Sequence, residues 1–355
     1  MTGLEPVPPF LLFAAPAAWS ALRQRHQALA EGLADAGWHV TYLDPLQSGG
    51  WLFEKRDLGR RLRRISLRVP FRAAELPGLQ AIAARLALRH LTRAGLRPAE
   101  TVFWTADPSL SALAMRPWRF IVYDRCDRHG SFPGQRAAAW RSHEQRLYRH
   151  ADLVLASSPL LAQEASAGGA RHVALVPNAT DRSWLFPTPL RRPSGPPWRL
   201  LSSGAHFEWI DHAWLAGLAH LPDAELHLAG PGRGPAWQSL IADPRVTWHG
   251  VLDHRHLREL IDRCHIGLIP FRDDALTAGV DPVKAYEYAA RGLAIWAPET
   301  EALSRHPLVT RTIRPEDAAL HLAADAASVP VPASPGTWDD RLARIRELLK
   351  GMNKR

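Results

Sequence analysis

The sequence has 355 residues and a mass of 39.4 kDa, a length that is typical of about two domains. Hydrophobic residues make up 46% of the chain and charged residues 22%, and these ordinary values exclude a wholly disordered protein. The 44 basic residues exceed the 35 acidic ones and leave a net charge of +9, which indicates an anionic partner such as nucleic acid, nucleotide phosphate or acidic lipid.

The cysteines and the apolar stretches indicate the compartment. Cys126 and Cys264 are too few for a disulfide scaffold, so we expect a reducing environment. The longest apolar stretch, residues 10–19, is too short to cross a bilayer, and it lacks the preceding basic residues of a signal peptide. We therefore expect a soluble, cytoplasmic protein.

The N-terminal region has the pattern of a strand, a helix and a second strand. The apolar run over residues 10–15 predicts a buried parallel strand. Ser20 is a suitable N-cap for a helix that ends near Gly37, and the alternation over residues 38–43 predicts the next strand. Strands separated by helices in this way indicate a parallel sheet.

The same rhythm continues along the chain and divides it into two lobes. Further strands are predicted at residues 101–104, 120–123, 153–156, 199–202, 225–229, 246–248 and 266–270, and a last helix at residues 338–349. The proline-rich stretch around residues 186–197 predicts a linker. The predicted divisions are a first lobe at 1–182, a linker at 183–197, a second lobe at 198–325, and a linker with a helix at 326–355.

This pattern predicts an α/β protein with two Rossmann-like parallel-sheet lobes that face a cleft. Ligands of open parallel sheets bind beyond the carboxyl ends of the strands, where helix N-termini receive anions. The cleft is therefore the expected place for a phosphate-bearing substrate.

Residues 51–75 are strongly basic, with eight basic side chains against three acidic ones. Leu58, Leu62 and Ile65 have helical spacing, and Trp51 and Phe53 lie just before them. We expect this segment to bind an anionic membrane surface, although a solvated helix face is the simpler alternative. Nucleic-acid binding is the less favoured alternative, because the aromatic residues are not interleaved with the arginines.

The segment that begins at Asp281 and Pro282 predicts a helix with an anion site at its start. Asp281 suits the N-cap and Pro282 the first helical position, which places Lys284 in the first turn. Glu287 lies three residues further on and shares a face with Lys284. This set suits the diphosphate and ribose of a nucleotide sugar, and the alternative is a surface lysine paired with a glutamate.

Four stretches resemble one family in the expected order and cover most of residues 10–300. The residues Asp281-Pro-Val-Lys-Ala-Tyr-Glu-Tyr-Ala-Ala-Arg-Gly, after Leu268-Ile-Pro-Phe, resemble the donor-binding segment of GT-B-fold glycosyltransferases of the bacterial polysaccharide type. The other resembling stretches are Val122-Tyr-Asp-Arg-Cys-Asp, residues 151–158 with 176–181, and residues 201–211.

The resemblance implies an enzyme that moves a sugar from a nucleotide-diphosphate sugar to a glycan or lipid-linked acceptor in polysaccharide biosynthesis. The acceptor would bind the first lobe and the donor the second. The implied donor-binding residues are His206, Glu208, Lys284, Tyr286 and Glu287. The chain has no Asp-x-Asp pair to hold a metal on a diphosphate, and Lys284 with a helix N-terminus would serve instead. We therefore expect no metal or other cofactor, and a protein peripheral on the inner face of the cell membrane.

Asp124 and Asp127 are the candidate catalytic residues, because they follow the strand predicted at 120–123. Inverting transfer needs a base for the acceptor hydroxyl, whereas retaining transfer needs no dedicated base. The alternative roles of these aspartates are capping and pairing with nearby arginines.

Gly279 stands where many retaining relatives have a glutamate, eight positions before Glu287, and Asp273 or Asp274 could replace it. The competing functions are a nucleotide-sugar epimerase or hydrolase of the same fold, and a non-catalytic protein that binds nucleic acid or membrane.

Overall fold

The computed structural model describes residues 9–50, 52–59, 61–69, 79–185, 192–328 and 335–352. The chain divides into two compact units, one formed by Met1–Pro177 with Leu342–Arg355 and the other by Asn178–Arg341. The chain therefore passes into the second unit after Pro177 and returns to the first after Arg341. Residues 186–191 of the predicted proline-rich linker and residues 329–334 of the predicted C-terminal linker lie outside the described residues.

The first unit is built on a sheet of nine strands within the described residues. They are β1 (Phe10–Ala14), β2 (His39–Leu43), β3 (Gln47–Ser48), β4 (Leu52–Gly59), β5 (Leu62–Val69), β6 (Thr101–Thr105), β7 (Phe120–Arg125), β8 (Leu153–Ala156) and β9 (Val173–Leu175). The order is β3-β5-β2-β1-β6-β7-β8-β9, and the pairs along it are parallel. This is the Rossmann arrangement: β1 lies in the middle of the sheet, and the strand order reverses between β1 and β6.

Helices connect these strands. They are α1 (Arg25–Asp35), α2 (Gln80–Arg93), α3 (Ala137–His150) and α4 (Pro159–Ala167). The prediction that Ser20 caps α1 is wrong, because the helix begins at Arg25 after a reciprocal capping box between Gln24 and Gln27. At the other end, Gly37 has a φ of 96°, so it takes the left-handed conformation that closes the helix.

The basic segment contains strands and not the amphipathic helix that we predicted. Strands β4 and β5 pair as an antiparallel hairpin on the edge of the first sheet. Gly59 has a φ of 83°, a conformation that stops a helix, and the buried residues Ile65, Leu67 and Val69 alternate with exposed or half-buried ones. Trp51, Arg60 and residues 70–75 of the basic segment lie outside the described residues.

The second unit repeats the arrangement with six strands in its described part. They are β10 (Trp198–Ser203), β11 (Ala224–Ala229), β12 (Val246–Trp248), β13 (Ile266–Leu268), β14 (Ala294–Ala297) and β15 (Arg311–Thr312). All pairs are parallel in the order β12-β11-β10-β13-β14-β15, so the order reverses between β10 and β13. The predicted α/β class with two Rossmann-like lobes is confirmed.

The remaining helices complete the second unit and return the chain to the first. They are α5 (His212–Ala219), α6 (Pro235–Ile241), α7 (His254–Ile261), α8 (Val283–Ala290), α9 (Glu301–Ser304), α10 (Leu322–Ala327) and α11 (Trp338–Met352). Helix α11 begins where the sequence predicted and ends three residues later than predicted. Because α8 follows β13, it begins at the carboxyl edge of the second sheet, beside the point where the strand order reverses.

Candidate active site

Asp281 fixes the start of α8 by contacts with distant parts of its unit. Its carboxylate accepts hydrogen bonds from the backbone N–H of Asn178, from the hydroxyl of Tyr286 at 2.9 Å and from Nε2 of His306 at 3.0 Å. The prediction that Asp281 is the N-cap is wrong, because Pro282 holds that position and the helix begins at Val283. Lys284 still lies in the first turn, where free N–H groups and the helix dipole favour an anion.

The side chain of Lys284 is half-buried at this helix start. Its Nζ lies 5.2 Å from the centre of the Phe271 ring, and a Cβ added to Gly204 would come within 3.6 Å of it. In the described part of the chain no hydrogen bond or ion pair reaches Nζ. Burial lowers the pKa of Lys284 to about 8, against the opposing effect of the Glu287 carboxylate. A cation that is partly desolvated and makes no direct ion pair with the described residues has a strong preference for an incoming anion.

Two glycine turns form the surface next to Lys284. Gly204 follows β10 with a φ of 101°, and Gly230 follows β11 with a φ of 121°. A Cβ on Gly230 would lie 2.1 Å from the carbonyl oxygen of Gly204, so no side chain fits between these turns. The hydroxyl of Tyr288 holds Ser203 at 2.8 Å from both its backbone nitrogen and its Oγ. Helix α8 is thus tied to the turn after β10.

Glu287 is buried one helical turn after Lys284, with 8% of its surface exposed. Burial and, to a lesser extent, the nearby Asp181 carboxylate raise the pKa of Glu287 to about 7, against the opposing effect of Lys284. The Glu287 carboxyl group therefore titrates near neutral pH. It can either hold a proton or accept a hydrogen bond from a hydroxyl group of a ligand.

Three other predicted donor-binding residues make different contacts. His206 is fully buried, stacks on Trp237 at 4.9 Å between ring centres, and places Nε2 2.9 Å from Ser202 Oγ. Burial and then the charge of Lys284 lower the pKa of His206 to about 3, so the ring is neutral. Tyr286 is also buried, and its hydroxyl bond to Asp281 gives it a positioning role at the helix start.

Glu208 lies in the loop after β10 and is exposed. Both of its carboxylate oxygens accept hydrogen bonds from Arg233 at 2.9 Å, and this arginine lowers the pKa of Glu208. Asp274, which could have replaced the missing acid at Gly279, instead accepts from the backbone N–H groups of Leu276 and Thr277 at 2.8 and 2.9 Å.

In the first unit, Asp124 is a structural partner of a buried arginine. The Asp124 carboxylate is fully buried, and Arg25 at the start of α1 reaches it with Nε at 3.0 Å from both oxygens and with Nη2 at 2.8 Å. The other guanidinium nitrogen of Arg25 donates to the carbonyl of Val176 at 2.8 Å. Both Asp124 oxygens are thus bound to a permanent cation. This arrangement supports a structural role for Asp124 at the sheet edge rather than a role in proton transfer.

Asp127 has the properties that a general base requires. It follows β7 at the carboxyl edge of the first sheet and is half-buried. Burial raises the pKa of Asp127 to about 6, while the Cys126 thiol and Arg25 oppose this rise. A carboxylate with this pKa is ionised at neutral pH and is basic enough to accept a proton.

Two histidines beside Asp127 escaped the sequence analysis. His26, the second residue of α1, lies 3.9 Å from the Cys126 sulfur through its Nε2, and His129 follows shortly after Asp127. Burial lowers the pKa of His26 to about 4 and that of His129 to about 3, so both rings are neutral. Nδ1 of each ring is buried with no hydrogen-bond partner among the described residues. No local motif marks these residues, because only the sheet brings α1 and β7 together.

The described ranges lack both a cluster of metal ligands and a membrane-spanning helix. No group of three or more histidine, cysteine or acidic side chains there is arranged to hold a metal ion. No helix there combines the length and the apolar composition that a membrane span requires.

Residues 20–179 match the family model described as "Glycosyl transferase 4-like domain". A search of curated proteins finds no significant match. Among solved structures, sucrose-phosphate synthase of Thermosynechococcus elongatus is 17% identical with a TM-score of 0.75, over 98% of this chain and 99% of that one.

Anabaena HepE in complex with UDP-glucose is 14% identical with a TM-score of 0.69, over 97% of this chain and 100% of that one. An α,α-trehalose-phosphate synthase (UDP-forming) from Burkholderia xenovorans, in complex with glucose-6-phosphate, is 12% identical with a TM-score of 0.64 over 96% and 100% of the two chains. At such identities the likeness concerns the fold.

Proposed function

We propose that this chain is a glycosyltransferase with the GT-B fold that moves a sugar from a nucleotide-diphosphate sugar to a glycan acceptor. The observation that carries the proposal is the cation of Lys284, which makes no hydrogen bond or ion pair with any described residue and lies at the start of α8 beside the Gly204 turn. Backbone N–H groups, an ammonium and a glycine surface are what a diphosphate needs for close approach.

Two side chains of α8 would bind different parts of the donor. Lys284 binds the diphosphate and stabilises the negative charge that develops on it as the sugar leaves. Glu287 accepts hydrogen bonds from the ribose hydroxyls through its buried carboxylate. Tyr286, Tyr288 and Asp281 position the helix. No metal is required in this scheme, since the helix start and Lys284 supply the positive charge.

Asp127 would supply the base in an inverting reaction. The acceptor oxygen attacks the anomeric carbon, the bond from that carbon to the phosphate oxygen breaks, and the nucleoside diphosphate leaves. The acceptor proton passes to the Asp127 carboxylate. The neutral rings of His26, which contacts Cys126, and of His129 would help to orient the acceptor through their Nδ1 atoms, which have no hydrogen-bond partner among the described residues.

Nucleoside diphosphate release with and without acceptor tests this function against the epimerase and hydrolase alternatives. We expect thermal stabilisation by one of the uridine, guanosine and thymidine diphosphates, which identifies the donor base, because a ligand of the native state raises stability. With the matching nucleotide sugar, release should require acceptor lipid, and the labelled sugar should move to that lipid. Equal release without any acceptor indicates a hydrolase. Conversion of the sugar with no release at all indicates an epimerase.

The acceptor would be a lipid-linked glycan of polysaccharide biosynthesis, presented at the inner face of the cell membrane. The support for this part is the hairpin of β4 and β5, where Lys55, Arg56, Arg61 and Arg68 are exposed on the sheet edge. Each basic residue near an anionic surface contributes about 1 kcal/mol to binding. The hairpin would hold the first unit on anionic lipid while the second unit binds the soluble donor.

Replacing Arg56 and Arg68 with Gln should weaken binding to anionic vesicles at least tenfold at low salt. These arginines lie on one face of the hairpin. Leu52 lies opposite Arg68, and Leu52 and Arg56 share a face of β4 because they are four residues apart in the strand. Vesicle co-sedimentation over a salt series measures the effect. The matched control is Arg255→Gln with Arg305→Gln, two exposed residues of the second unit, which change the net charge equally. Equal loss in both double variants would show that only total charge matters.

A further inference from the structure

A cavity of about 490 Å³ lies at the amino edge of the first sheet. Its lining includes Phe10, His39 and Thr101, the first residues of β1, β2 and β6. Asp127 follows the carboxyl end of β7 in the same parallel sheet, so the cavity and the candidate base are at opposite edges. The volume falls within the range of about 300–1,000 Å³ that is usual for small-molecule sites.

The inner part of the cavity is apolar. Leu11, Ile65 and Leu91 form its floor and are almost fully buried in the unit, while Leu96 and the 43% exposed ring of Phe10 form its sides. Aliphatic side chains thus dominate the floor. A ligand gains free energy here by removing apolar surface from water, and an alkyl chain suits such a lining.

The mouth of the cavity is cationic. Lys55 and Arg63 come from the hairpin and Arg97 from the turn after α2, against the single acid Glu100. Arg97 pairs with Glu100 at 3.2 Å, and Arg63 Nε pairs with the exposed Asp57, which does not line the cavity, at 3.8 Å. The Arg63 Nε is nevertheless buried and makes no hydrogen bond with the described residues. A buried donor without a hydrogen bond favours a charged acceptor from a ligand.

We propose that this cavity binds a single-chain amphiphile with an anionic head group. The alkyl chain lies on Leu11, Ile65 and Leu91, and a phosphate or carboxylate head accepts from Lys55 and Arg63. The two features of the lining, an apolar floor and a mouth with three basic residues and one acidic residue, match the two parts of such a molecule. The site is separate from donor and acceptor chemistry, because it lies at the amino edge of the sheet, and it does not depend on the proposed reaction.

Calorimetry of the full chain with dodecyl phosphate, below its micelle concentration, tests the proposal. We expect saturable binding, and at least tenfold weaker binding by the Lys55→Gln, Arg63→Gln double variant. The matched control is the Arg255→Gln, Arg305→Gln double variant, which removes the same charge from two exposed residues that do not line the cavity. Equal affinity of the parent and the double variant overturns the proposal. So does binding of a nonionic or cationic amphiphile of the same chain length as tightly as dodecyl phosphate.

A second variant separates the cavity from the charged hairpin surface. Ala94 lines the cavity and is exposed, so Ala94→Trp should fill it without removing a buried side chain. We expect this variant to keep the parent melting temperature and its binding to anionic vesicles, and to lose dodecyl phosphate binding. Undiminished binding by Ala94→Trp overturns the proposal. Inorganic phosphate alone should bind poorly, and phosphate binding equal to that of dodecyl phosphate would also overturn it, by indicating a simple anion site.

Discussion

Replacing Asp127 with Asn should lower turnover on the acceptor about 10²–10⁴-fold, the range that a positioned general base contributes. Donor affinity should stay unchanged, because Asp127 belongs to the first unit and the proposed donor residues to the second. Steady-state kinetics with the donor and acceptor varied separately measures both quantities. Near-normal turnover of Asp127→Asn would exclude it as the base and favour a retaining mechanism.

The pH profile gives a second readout of the same residue. The base must be ionised, and its pKa is raised to about 6 by burial, so parent turnover should fall as the pH drops through about 6. That decline should be absent from the residual activity of Asp127→Asn.

Asp124→Asn is the contrasting variant, since it leaves Arg25 buried without its carboxylate. We expect it to cost about 3–5 kcal/mol of unfolding free energy, measured by denaturant titration.

Replacing Lys284 with Ala should weaken nucleoside diphosphate binding about tenfold or more. The lost interaction is a charge-assisted contact worth roughly 1.5–3 kcal/mol, made by a cation whose Nζ has no hydrogen bond or ion pair among the described residues. Calorimetry with nucleoside mono- and diphosphate measures the change. Lys350→Ala is the matched control, because this lysine is exposed and pairs only with a nearby glutamate on α11.

Glu287→Gln should separate ribose binding from diphosphate binding. Its carboxylate is the proposed ribose acceptor, so this change should weaken mono- and diphosphate alike, whereas Lys284→Ala should spare the monophosphate more. Because the pKa of Glu287 is raised to about 7 by burial, parent affinity should also decline as the pH falls below about 7. Unchanged diphosphate affinity in Lys284→Ala would contradict the assignment of the donor site.

Features of short range were predictable from the sequence. The buried runs at β1, β6 and β7 are long enough to identify parallel strands, and Pro282 with Lys284 identified the start of α8 within one residue. The hairpin was missed because Leu58, Leu62 and Ile65 fit a helical period. The residues Ile65, Leu67 and Val69 fit the strand period equally well, and the conformation of Gly59 decided between them.

Contacts between residues that are far apart in the sequence could not be predicted from local sequence patterns. Asp124 was a candidate base until the structure placed Arg25, 99 residues away, on its carboxylate. The bond from Asn178 to Asp281 spans 103 residues, and the one from Tyr288 to Ser203 spans 85. Such partners determine whether a charged side chain supports the fold or remains available to a ligand, and no spacing along the chain encodes them.

The environment of Lys284 also makes it a chemical reporter. With a pKa of about 8, about half of its amines are neutral at pH 8, whereas an ordinary lysine with a pKa of about 10.4 is neutral in less than about one per cent of molecules. The chain has only four lysines, so acylation of lysine by a small amine-reactive ester should be concentrated at Lys284 and easy to distinguish by peptide mass from acylation of the α-amino group. A bound anion favours the protonated amine. Loss of labelling would therefore follow donor occupancy directly, without an acceptor and without turnover.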